Sequence, residues 1–141
     1  MEPIVWTEDF SVNVESLDNQ HKTLFGLLNR LADVNDRKVE GTVIWDLLNE
    51  VLDYTRKHFT EEEEYMAELG YPGLNAHKLE HYELMKKVLQ YNASFWEINT
   101  QLPAELVVFL LSWITQHILS EDMAYVKFAT QEQSRGAFKT R

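Results

Sequence analysis

A chain of 141 residues, 45% hydrophobic and 26% charged, has the length and composition of one folded globular domain. A formal charge of -10 argues against a nucleic-acid partner, because a phosphate backbone is held by lysine and arginine. The absence of cysteine excludes disulfides, thiolate metal sites and thiol nucleophiles, so any metal must rest on histidine and carboxylate. The opening MEPIVWTEDF lacks both the basic and the apolar region of a targeting signal. The longest apolar stretch, Leu106 to Leu111, is too short to cross a membrane. A cytoplasmic protein with no membrane insertion is therefore expected.

An arm carrying Ile4, Val5, Trp6, Phe10, Val12 and Val14 comes first, and then the apolar period turns helical. The first predicted helix covers roughly residues 18–37, with Asp18 as N-cap and His21, Leu24, Phe25, Leu28 and Leu31 on one stripe. A second, about 41–69, carries Ile44, Leu47, Leu48, Val51, Thr55, His58, Glu62, Tyr65, Met66 and Leu69, and Gly70-Tyr71-Pro72-Gly73 stops it. The third, about 74–97, presents His77, His81, Leu84, Val88, Tyr91 and Phe95. The fourth opens near Pro103 and presents Leu106, Phe109, Leu110, Trp113 and His117. Four amphipathic helices with short connections predict an all-α, antiparallel up-down four-helix bundle behind an extended N-terminal arm. The expected organisation is one domain over residues 1–141: arm 1–17, bundle 18–129 and a polar tail, 130–141, that frays.

All five histidines fall on inward stripes. Residues four apart share a helical face, so His58 with Glu62, and His77 with His81, can each close on one region. A lone core histidine usually has a bland explanation in which its ring nitrogens find hydrogen-bond partners. Four helices each turning histidine inward, joined by a carboxylate that is costly to bury unless paired or metal-bound, point instead to a metal centre. Within the run Glu61 to Glu64, only Glu62 lies one turn from His58, and the others read as a solvated face. After His117, plain periodicity favours Glu121 at four residues, whereas Asp122 at five needs a locally widened turn, and spacing leaves the two even. Five imidazoles and two carboxylates suit iron, copper, zinc or nickel, and they exceed one ion's needs. No Glu-x-x-His motif of the carboxylate-rich di-iron bundles occurs. A site so rich in neutral imidazole favours the lower oxidation state, which tilts it toward holding oxygen reversibly.

These residues resemble the hemerythrin family, its bacterial members in particular. The resembling segments are Asp18-Asn19-Gln20-His21-Lys22; His58-Phe59-Thr60-Glu61-Glu62 with Met66 and Gly70-Tyr71-Pro72; His77-Lys78-Leu79-Glu80-His81; and Trp113-Ile114-Thr115-Gln116-His117 followed by Asp122 and Tyr125. The resemblance implies two non-haem iron ions, one held by His77, His81 and His117 and the other by His21 and His58. Glu62, Asp122 and an oxo or hydroxo group would bridge them, so the resemblance selects Asp122 over Glu121. It further implies that dioxygen binds at the iron with two histidines, in an apolar pocket whose walls are Leu24, Phe59, Trp113 and Ile114. Asn13 stands where bacterial relatives often carry glycine, which could alter a turn in the arm.

The function expected is reversible dioxygen binding for storage, transport or delivery to an oxygen-consuming enzyme, by a monomer and without a catalytic residue. Two rivals use the same centre. One is a redox enzyme acting on oxygen, peroxide or nitric oxide; the other is an oxygen or redox sensor, which the lack of a fused signalling domain disfavours. A metal-free structural bundle is the weakest reading.

Overall fold

Helix boundaries fall where the sequence punctuates them. The computed structural model describes the backbone of residues 2–98 and 102–139 and the side chains of 2–90 and 102–134. The side chains of Tyr91 and Phe95, expected on the third stripe, lie outside that set. Helix α1 spans Glu15–Asp36, α2 Gly41–Leu69 and α3 Leu74–Ile98. The fourth rod is α4, Ala104–His117, continued through a π-helical segment, Ile118–Asp122, into α5, Met123–Lys139. Four rods joined by short connections, with no strand among the described residues, make a four-helix bundle. α2 ends in a Schellman cap: Gly70 adopts φ 71°, and the N–H groups of Gly70 and Tyr71 donate to the carbonyls of Ala67 and Met66. The reciprocal amide pair of Asn35 with Leu102 ties the end of α1 to the start of the fourth rod.

Asp18 is not the N-cap. α1 begins three residues earlier, and the Asp18 carboxylate instead accepts from Ser11 Oγ at 2.7 Å and from the Val12 N–H at 2.8 Å. It therefore fastens the arm to α1. Asn13, between these partners and α1, has φ 61°, a left-handed conformation that asparagine tolerates better than most residues. Farther out, Ile4 and the Asn29 amide exchange two hydrogen bonds of 2.8 Å, and Phe10 meets Phe25 edge-on. The tail also differs from expectation. α5 continues to Lys139, because extending an existing helix adds one hydrogen bond per residue without a new nucleation cost.

Two apolar clusters build the interior. The larger holds Leu24, Leu28, Leu48, Val51, Leu84, Leu106 and Ile114; the smaller holds Val12, Leu17, Met66 and Tyr125, so the arm helps close that end. Each fully buried leucine or valine contributes about 1.5–3 kcal/mol. Along α1, His21 falls between Leu17 of one cluster and Leu24 of the other. A polar layer thus lies sandwiched between apolar ends.

Candidate metal centre

That layer contains His21, His58, Glu62, His77, His81, His117 and Asp122, none more than 4% exposed. His21 comes from α1, His58 and Glu62 from α2, His77 and His81 from α3, and His117 and Asp122 from the fourth rod. On one side the Nε2 atoms of His77, His81 and His117 turn toward one another, with His117 at 2.9 Å from His77 and 3.1 Å from His81. Glu62 Oε1 lies 3.1 Å from His81 Nε2 and 3.3 Å from His77 Nε2, and Asp122 Oδ1 lies 3.1 Å from both His77 and His117. On the other side Glu62 Oε2 is 3.7 Å from His21 and from His58, while Asp122 Oδ2 is 3.4 Å from His21. Each carboxylate therefore gives one oxygen to the three-histidine group and the other to the two-histidine group.

The donor set fits metal ions better than it fits hydrogen bonding. Metal–imidazole bonds of about 2.1 Å at right angles put neighbouring donor atoms about 3.0 Å apart, close to the separations seen in the three-histidine group. By contrast, His21 Nε2, Glu62 Oε1 and both Asp122 oxygens are buried without any hydrogen-bond partner. Each orphaned group costs about 1–3 kcal/mol, more if charged, unless something binds it. Imidazole and carboxylate together suit first-row transition metals. Ligand atoms of Glu62, His77, His81 and His117 lie within 4.8 Å of one another, as do those of His21, His58 and Glu62.

The widened turn decides between Asp122 and Glu121 for the interior. Five π-helical residues follow His117, and the extra residue rotates Asp122 inward to 0% exposure while Glu121 stays part-exposed. Glu121 sits beside Glu80 instead, and burial followed by that carboxyl neighbour raises the Glu80 pKa.

Neighbouring opposite charges favour the ionised forms of Glu62 and His77. Burial works against ionisation of Glu62, but His21, His77 and His81 outweigh it and hold its carboxyl well below the usual range. Burial also opposes charge on His77, yet Asp122 and Glu62 push its pKa up to about 10. His58 goes the other way, to about 4, chiefly through burial. A metal must therefore displace a proton from His77 but none from His58. Ferrous iron uptake at neutral pH is expected to release protons, with affinity rising about tenfold per pH unit per proton from roughly pH 6 to 9. Uptake followed in a pH-stat checks this. The corresponding stabilisation of the metal-free fold has the opposite sense: it is full below the ordinary histidine pKa of 6.5 and is lost as pH rises through about 10.

The acidic run on α2 does more than solvate a face. The Nδ1–H of His81 donates to Glu63 at 2.8 Å, and that of His58 donates to Gln20 Oε1 at 2.6 Å. The Gln20 amide is itself oriented by donating to Glu61 at 2.7 Å. These bonds turn a bare Nε2 toward the interior. Tyr125, fully buried, donates its hydroxyl to Glu62 Oε2 at 2.9 Å; burial, then Glu62 and Asp122, raise its pKa far above that of free tyrosine and keep it a donor. Sequence reasoning missed Gln20, Glu61 and Glu63 as partners, although each directly adjoins His21 or Glu62. Glu63→Gln and Gln20→Leu are expected to weaken metal binding about 10–100-fold with little change in helicity, measurable by competition with a chelator.

One turn from the histidines lies a cavity of about 20 Å³, lined among others by Leu24, Thr55, Leu84, Trp113 and Ile114. It is large enough for one water-sized guest and offers water little, since the Thr55 hydroxyl already donates to the Val51 carbonyl at 2.6 Å. Of the four expected pocket residues, Leu24, Trp113 and Ile114 line it. Phe59 lies outside this lining, with its ring flat on His81 at 3.7 Å between centroids, 5.9 Å from Trp113 and 6.0 Å from His58. Trp113 stacks on His117 at 4.3 Å. Together with Leu84 it also lines an open groove on the outer surface, so these two side chains partition cavity from solvent.

Comparison with known proteins agrees with this architecture. The family model described as Hemerythrin HHE cation binding domain matches residues 12–129. A bacteriohemerythrin of Stenotrophomonas maltophilia (strain R551-3) is 33% identical, covering 94% of this chain and 91% of its own length. One from Clostridium acetobutylicum is 34% identical, covering 86% and 98%. A crystal structure of wild-type hemerythrin superposes with TM-score 0.82 at 30% identity, covering 89% of this chain and 97% of its own.

Proposed function

Because this chain belongs to the hemerythrin family, we propose that it binds dioxygen reversibly at a non-haem di-iron centre. In this reading His77, His81 and His117 would hold one iron and His21 and His58 the other, with Glu62 and Asp122 shared between them. The observation that carries it is the division of both carboxylates, one oxygen toward each histidine group. When bound, the ferrous pair supplies electrons and an open coordination position for dioxygen. The protein's part is to hold that position and keep it dry. With three imidazoles on one side and two on the other, the two-histidine side, His21 and His58, is the one that would leave room for dioxygen. Gln20 and Glu63 fix the tautomers of His58 and His81, and the Tyr125 hydroxyl holds Glu62 Oε2 in place. The apolar cavity admits a small uncharged guest while giving water nothing to bond, which opposes oxidation to an inert ferric form.

The role this supports is a store or carrier that hands oxygen to an oxygen-consuming enzyme in the cytoplasm; no described helix is long and apolar enough to cross a membrane. The test loads the protein with ferrous iron without air, admits oxygen, then removes it while following visible charge-transfer absorption. Colour that appears and fades on deoxygenation is expected. Irreversible oxidation with peroxide consumption would favour a redox enzyme, and absence of colour would overturn the di-iron reading.

A further inference from the structure

We propose that the groove between α3 and α4 binds a planar aromatic anion of the reduced flavin mononucleotide class, which passes electrons through Trp113 to the three-histidine half of the centre. The inference rests on the di-iron reading, because a carrier whose iron slips to the ferric state needs a route back. The groove measures about 370 Å³, at the lower end of small-ligand sites. Its lining brings two neighbouring exposed lysines, Lys86 and Lys87, beside the half-buried rings of Phe109 and Trp113. Glu83 is the one carboxylate among its described lining residues, so the groove carries a net positive charge on a chain of net charge -10. Lysine is suited to a phosphate and the rings to an aromatic plane. Lys87 Nζ rests 4.2 Å from the Phe109 ring centre, a cation already held against the aromatic floor.

Trp113 then joins the groove to the interior. Its ring lies nearly parallel to His117, at 11° and 4.3 Å, and sits 5.9 Å from Phe59, which stacks on His81. The stack on His117 reaches the three-histidine group directly, whereas Phe59, which is also 6.0 Å from His58, touches both halves. One reduced flavin gives up two electrons, becoming oxidised flavin and releasing its protons to solvent at the open groove. A ferric pair held by the centre would take up both electrons, one per ion, which matches the two lost by the flavin.

The test compares wild type with the double variant Lys86→Glu, Lys87→Glu, both residues being exposed and outside the candidate ligand set. Equilibrium dialysis of oxidised flavin mononucleotide against the purified proteins measures binding without turnover, and riboflavin, which lacks the phosphate, serves as the uncharged arm. Expected is flavin mononucleotide binding at least about tenfold weaker in the variant, with riboflavin affected much less. Reduction of the ferric protein by photoreduced flavin mononucleotide is expected to slow in parallel, while dioxygen binding by the ferrous protein is unchanged. Equal flavin mononucleotide binding by the two proteins, or none by wild type, would overturn the proposal. If dioxygen binding fails but lysine-dependent flavin binding remains, the di-iron carrier reading falls and the groove still stands as a flavin site.

Discussion

Replacing His77 by alanine is expected to lower bound iron from two ions per chain to one or none. Its Nε2 faces His117, Glu62 Oε1 and Asp122 Oδ1 at 2.9–3.3 Å, so its loss strips one group of a nitrogen donor and leaves two buried carboxylates without their charged neighbour. Uncovering a buried charge in this way costs about 3–5 kcal/mol, so helicity by circular dichroism must accompany the iron count. His77→Gln, which keeps a polar side chain there, separates loss of metal from loss of fold. Asp122→Ala is expected to behave like His77→Ala. Glu121→Ala should retain both irons, because that carboxylate stays part-exposed beside Glu80 rather than in the buried layer. A full complement of iron in folded His77→Ala would contradict the ligand assignment.

Trp113→Ala is expected to speed oxidation to the ferric form by at least about tenfold, equivalent to about 1.4 kcal/mol off the barrier. With Leu84, Trp113 separates the dry cavity from the surface groove, and removing the indole joins the two. Water and small anions then reach the centre. Trp113→Phe keeps an aromatic partition and should oxidise at close to the parental rate. The decay of the oxygenated absorption band, followed in air for all three proteins, measures the effect. Equal rates for wild type and Trp113→Ala would remove the gating role.

Much of this site was legible because its chemistry is periodic. His58 with Glu62 and His77 with His81 are one turn apart, and a four-residue interval places side chains on one face whatever the surrounding fold. The helix ends were legible for a similarly local reason: Gly70 can take the left-handed φ that closes α2, and Pro103 precedes α4 without a donor to lose. Where local signals competed with long-range contacts, they misled. Asp18 has the chemistry of an N-cap, yet its carboxylate is taken by Ser11 and Val12 of the arm. Glu61 and Glu63 looked like parts of a solvated run because their partners, Gln20 and His81, come from different rods.

The sequence by itself determined four amphipathic helices, a cysteine-free donor set and five inward histidines, since these follow from composition and from a period set by backbone geometry. Which carboxylate after His117 turns inward was left even by helical spacing and selected only by resemblance; the tertiary structure supplies the physical reason. A π turn gives up regular α-helical hydrogen bonding, and nothing in Ile118 to Asp122 demands it locally; bundle packing and the facing histidines make it worthwhile. The division of Glu62 and Asp122 between two histidine groups is likewise a property of four rods held side by side, which no single helix contains.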